Sequence, residues 1–144
     1  MEHNPQHASR VGAIYLLLGL AQAAHSIEEM RAHLYDFFWA ATGVFHQYIS
    51  AFPQFRMGAD TFAVLNMSFI ALLLATVPAV QAGKRWALFL AGLAGVIEVL
   101  NGIAHLAGAI VFGGYVPGAA SAPLLLILGF FLLRELRRTG ALRV

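Results

Sequence analysis

Residues 86–112 read WALFLAGLAGVIEVLNGIAHLAGAIVF, an apolar run broken by a single charge, Glu98, and by two further polar side chains, Asn101 and His105. A bilayer-spanning helix needs about 20 predominantly apolar residues, in a range of roughly 17 to 25. Three further charge-free windows, at 11–27, 61–83 and 118–133, repeat the pattern, the first and last being short enough to rely on snorkelling ends. The expectation is an all-α polytopic membrane protein. It forms one domain over residues 1–144, a bundle of four transmembrane helices with spans at about 11–30, 61–82, 86–112 and 119–136.

Composition agrees. The chain has 144 residues, of which 60% are hydrophobic and 11% charged, and its mean hydropathy of +0.74 is too apolar for a soluble domain of this size. No cysteine is present, which removes disulfides, thiolate metal sites and thiol catalysis together. The basic residues flank the apolar runs instead of forming a patch interleaved with stacking aromatics, so a nucleic-acid partner is excluded. The bilayer is the expected partner. Arg10, the run 11–20 and Ala21-Gln22-Ala23 also fit a cleavable signal peptide, although the positive region ahead of the run is weakly basic.

Lysine and arginine collect in short cytoplasmic segments. Arg10, Lys84, Arg85, Arg134, Arg137, Arg138 and Arg143 fall on one side of the four windows, and Arg31 and Arg56 on the other. This places both termini in the cytoplasm of a multi-pass cell-membrane protein. Helical rise then sets depth: His25 lies roughly 21 Å above residue 11, Asn66 roughly 24 Å above the inner end of the second helix, and His105 roughly 28 Å above Trp86. Polar residues of three helices thus share one layer near the outer leaflet.

The first helix ends in His25-Ser26-Ile27-Glu28-Glu29. Charge at membrane depth costs roughly 2.5 to 3.5 kcal/mol per residue on insertion scales, so it marks a site. The spacings of His25, Glu28 and Glu29, and of Glu98, Asn101 and His105, put each set on one helix face. Asn66 alone reads as an interhelical hydrogen bond, whereas the other six converge in depth and read as a functional site. Between the first two helices, Tyr35, Phe37, Phe38, Trp39, Phe45, Tyr48, Phe52 and Phe55 hold nearly half of the aromatic residues. They suit a helix lying flat in the outer interface, or a short re-entrant one, that roofs the polar layer. His33, Asp36 and His46 belong to this anchor rather than to the site. Past the third helix, Pro117-Gly118 specify a type II turn, Ser121 and Pro123 suit the start of the fourth helix, and Tyr115 comes within reach of the layer.

Taken in order, His25-x-x-Glu28-Glu29, His105 and Tyr115-x-Pro117-Gly118 resemble the signature of the HXXEE family of small membrane proteins. The resemblance runs from the first helix to the start of the fourth. It implies an integral membrane protein with a shared polar site and supplies no reaction.

Two histidines with two or three carboxylates are the ligand set of a borderline divalent metal, zinc or iron, and three protein ligands with an open position form the catalytic zinc pattern. His25, His105 and Glu29 or Glu28 are the expected ligands, with Glu29 taken as the third; the remaining glutamate, Glu28, is a general base or a partner behind them, and Tyr115 or Asn101 an orienting group. A dinuclear iron centre is disfavoured by the reversed His-x-x-Glu spacing. Without metal, a buried glutamate, Glu98 or Glu28, paired with histidine supports acid–base chemistry, and Glu28, Glu98 and Tyr115 are the catalytic candidates. Either way the expectation is an enzyme, hydrolase- or isomerase-like, acting on a lipid-like small molecule. The alternatives are a proton- or metal-coupled transporter, which with four spans needs an oligomer for a through-path, and a structural subunit of a membrane complex.

Overall fold

The computed structural model describes residues 5–139, with side chains from Arg10 onward; Arg143 lies outside the described residues. The described chain is all-helical: α1 (Pro5–Arg31), α2 (Leu34–Tyr48), α3 (Ala59–Gln81), α4 (Arg85–Val111) and α5 (Ala122–Arg138). Three segments are long and apolar enough to cross a bilayer, Arg10–Arg31, Ala59–Gln81 and Arg85–Val111. The helix expected over 119–136 starts three residues late and has 17 residues, the last turn carrying Arg137 and Arg138.

Leucines and alanines explain the packing. α1 packs on α3 and α5, and α4 packs on α5 and more loosely on α3. The core between them is built from Val11, Tyr15 and Leu18 of α1, Leu73 and Val80 of α3, Ala87 and Ala91 of α4, and Leu125, Leu132 and Leu136 of α5. Where α4 meets α5, Gly95 and Gly129 face each other so closely that a Cβ on either would sit 3.0 Å from an atom of the opposite helix. This close approach is the known use of small residues between membrane helices. The outward faces are apolar too: Val64, Phe89, Leu100 and Ile110 are all exposed, as lipid-facing residues should be, because a helix that is hydrophobic all round has no aqueous side. Within the core the Tyr15 hydroxyl and Thr76 hydroxyl pair at 2.8 Å.

α1 does not run on into α2. His33 takes a left-handed backbone conformation (φ 58°, ψ 46°), which breaks the helix so that α2 starts as a separate element. The segment 49–58 folds back against α2: Gln54 donates to the Trp39 carbonyl at 2.9 Å, the Phe55 N–H donates to Thr42 Oγ1 at 3.2 Å, and Arg56 sits 4.9 Å above the Trp39 ring. Edge contacts of Phe37 with Phe112 and of Phe38 with Phe62 tie α2 to α4 and α3.

Candidate metal centre

Helical geometry divides the two adjacent carboxylates. Successive residues on a helix are rotated by roughly 100°, so Glu28 and Glu29 leave α1 in different directions even though both are neighbours of His25. Glu29 turns inward. Its Oε1 lies 3.1 Å from His25 Nε2 and 3.1 Å from His105 Nε2 of α4, and all three side chains are buried. One candidate ligand atom from each lies within 4.8 Å of the others. Ligand atoms about 2.0–2.1 Å from a tetrahedral zinc stand about 3.3 Å apart. The two 3.1 Å separations are close to that edge.

Glu28 turns toward the connection between α4 and α5 and collects five donors. Its Oε1 accepts from the Tyr115 hydroxyl at 2.6 Å and from the Gly118 and Ala120 N–H groups at 3.1 Å each. Its Oε2 accepts from the Ser121 N–H at 2.9 Å and the Ser121 hydroxyl at 2.5 Å. A carboxylate from α1 therefore caps the amides ahead of α5, where Gly118 has a non-helical backbone; an anion at this position also suits the helix dipole. The turn has the expected form: Gly118 has φ +92° and the Ala119 N–H donates to the Val116 carbonyl at 2.9 Å. The hydrogen bond to Glu28 pushes the pKa of the Tyr115 hydroxyl up, since ionisation would set a second negative charge beside the first.

Ser121 links the two carboxylates. Its hydroxyl proton goes to Glu28, so the oxygen is left to accept from His25 Nδ1 at 2.7 Å. That assigns the Nδ1–H tautomer to neutral His25 and turns the Nε2 lone pair toward Glu29 and His105. The Asn101 amide, 3.3 Å from Nε2, is placed as a donor to the same lone pair. Carboxylate, hydroxyl and imidazole in series are the kind of outer support that fixes the tautomer of a metal-ligating histidine. The two imidazoles stack edge to face with centroids 4.8 Å apart. A Cβ on Gly118 would lie 2.7 Å from His105 Nδ1 and 2.9 Å from His25 Cε1, so both its backbone angle and its neighbours require glycine.

A second polar chain runs below. Glu98, fully buried on α4, faces the Gln22 amide, whose nitrogen donates to both carboxyl oxygens at 3.1 and 3.0 Å when the amide is oriented to satisfy them. Gln22 lies 3.1 Å from the Ser26 hydroxyl, which donates to Asn66 Oδ1 at 2.6 Å. Asn66 and Asn101 thus join the layer, the first through Ser26 and the second through His25. His33, Asp36 and His46 stay outside it: the first two form an exposed pair at 3.8 Å, and His46 bonds the Phe52 carbonyl.

A cavity of about 500 Å³ opens above the cluster, with Gln22, Glu29, Asn66, Asn101 and His105 on its polar side and Phe37, Phe38 and Phe45 of α2 across from them. A family model described as a protein of unknown function with HXXEE motif matches residues 16–132. The chain belongs to the HXXEE family. The family's namesake residues are therefore His25, Glu28 and Glu29, and the match extends over every residue of the cluster and of the turn. No curated protein matches the chain, and no solved structure does. Ser26, Ser121 and Gln22 went unread in the sequence as members of the site. The only signals were Gln22 and Ser26 one turn apart on the face of the motif, and the position of Ser121 directly after the turn.

Proposed function

We propose that this HXXEE protein is a membrane-embedded enzyme that holds a divalent metal, zinc or iron, on His25, Glu29 and His105 and acts on a lipid-soluble substrate in the adjoining cavity. The observation that carries this reading is a buried group of two imidazoles and one carboxylate, mutually within 4.8 Å, at the polar side of an apolar cavity. Two nitrogens and an oxygen suit zinc or ferrous iron, and the side of the cluster facing the cavity leaves a position for substrate or water. When bound, the metal would supply Lewis-acid polarisation or an activated water. Glu28 and Tyr115 act through Ser121 to orient His25. Glu98 and Asn101 hold the inner side of the cluster, with Asn66 tied in through Ser26.

In the same reading α5 is the fourth span, α2 lies in the outer interface as a roof, and both termini face the cytoplasm. The metal-free reading keeps the same residues. Glu29 lies at hydrogen-bond distance from two imidazoles, an arrangement that also supports proton transfer to an apolar substrate. Elemental analysis of protein purified gently in detergent separates the two. Stoichiometric metal that is lost in His25→Ala and in His105→Ala supports the metalloenzyme, and metal-free wild type removes it in favour of acid–base chemistry.

A further inference from the structure

The lining of the cavity restricts the chemistry of its ligand, an inference that rests on the reading of the cluster as the reacting site. Among the described residues no lysine or arginine lines the cavity, and one of the lining groups is the Glu29 carboxyl. A phosphate or carboxylate headgroup would be taken out of water beside a like charge and without a cation, a cost of several kcal/mol per ion. A divalent ion on His25, Glu29 and His105 would leave one net positive charge, which lies beside the Glu29 carboxylate and does not replace all the water donors that a phosphate or carboxylate headgroup gives up. An ammonium headgroup fares little better, since Glu29 Oε1 already faces both imidazoles.

The polar side is also small. Its five side chains form two connected sets, Glu29, His105 and Asn101 around His25, and Gln22 and Asn66 around Ser26. Everything else lining the cavity is apolar, so each additional polar group on a ligand would be buried unpaired, at about 1–3 kcal/mol. Access agrees with an apolar ligand. Among the described residues no side-chain hydrogen bond joins α2 to α3 or α4, and the seam is closed by rings such as Phe37 on Phe112, 5.1 Å apart, which an entering hydrocarbon chain can part.

We propose that the cavity binds a neutral lipid with one terminal hydroxyl or carbonyl group, its polar end against Glu29, Asn101 and His105 and its chain among the phenylalanines of α2 and α3 and Phe112 after α4. The test uses three probes sharing one alkyl chain with a mid-chain diazirine: hexadecanol, hexadecanoate and hexadecylamine, applied to the full-length protein in lipid nanodiscs at a pH where the acid and amine are charged. After photolysis, labelled residues are mapped by peptide mass spectrometry and scaled to the outward-facing Phe89. Hexadecanol should label the cavity wall at least about tenfold more than either charged probe. Ala104→Trp and Ala41→Phe, which fill the cavity from opposite walls, should each remove that labelling while circular dichroism stays unchanged. Equal labelling by the three probes, preference for a charged one, or labelling that survives both filled variants overturns the proposal. Metal is measured on the same samples: metal without selective labelling removes this proposal alone, and selective labelling without metal removes only the metalloenzyme.

Discussion

On the side of α1 that faces the α4–α5 connection, a carboxylate receives five hydrogen bonds and closes a turn; on the side that faces α4, the next carboxylate sits between two imidazoles and opens onto a cavity. Glu28 and Glu29 are identical in chemistry and adjacent in sequence. What separates them is one residue's rotation about the helix, which gives Glu28 backbone amides as partners and Glu29 groups able to share a metal. The first holds the turn ahead of α5 and the second sits in the buried cluster, with Ser121 and His25 connecting them.

The largest effects should come from exchanging these assignments experimentally. Glu29→Ala should abolish stoichiometric metal with little change in the turn. Glu28→Ala should speed hydrogen exchange at the Gly118, Ala120 and Ser121 amides, for a local loss of about 2–3 kcal/mol, while metal binding weakens but persists. The comparison breaks if the two variants give the same pattern. Gly118→Ala comes next, because the added methyl meets both histidine rings and a left-handed backbone; an overpacking cost of about 1–3 kcal/mol, read as a lower thermal midpoint in detergent together with weaker metal binding, is the expected result.

Ser121→Ala should weaken metal binding by roughly 10–100-fold, the range for loss of a group supporting a ligand, and Ser121→Thr should restore most of it. A merely structural serine would show neither the loss nor the rescue. Tyr115 offers a smaller, pH-dependent effect. With its pKa raised by Glu28, the hydrogen bond adds stability below the ordinary tyrosine pKa of about 10, and that stability is lost as pH rises through the folded value. An ultraviolet titration should therefore give a midpoint above 10 that falls back in Glu28→Gln. Smallest of all, His46→Ala and His33→Ala should stay within about 0.5 kcal/mol of wild type and leave metal binding untouched, since both side chains lie outside the cluster.

Much of this arrangement was legible in the residues themselves. Glu98 and the 25–29 cluster stood out because charge is expensive among apolar side chains, and the spacing of Glu98, Asn101 and His105 gave a shared face that persists in the structure. Pro117-Gly118 gave the turn, because only glycine takes the third position of a type II turn without strain. The separation of Glu28 from Glu29 was not legible: spacings of three and four residues place two side chains near a third without saying which way each points. Ser121 was hidden by its ordinariness, since a serine before a helix needs no other explanation. The capping of the amides ahead of α5 by a carboxylate of α1 is a long-range effect absent from any local pattern. That the aromatic segment forms a helix was readable, but the break at His33 depends on a backbone angle that no propensity reports.

The bond between His25 and Ser121 joins residues 96 positions apart, and this has a consequence for biogenesis. During synthesis α1 and α3 can meet early, yet the imidazole at the end of α1 gains its Nδ1 partner only once the connection between α4 and α5 has been made. A chain truncated before Tyr115 would present the HXXEE motif in full and still lack both the Ser121 hydroxyl at His25 Nδ1 and the turn that holds Glu28. On the proposed reading of the cluster as a metal centre, loading is thereby deferred until nearly the whole chain has been made.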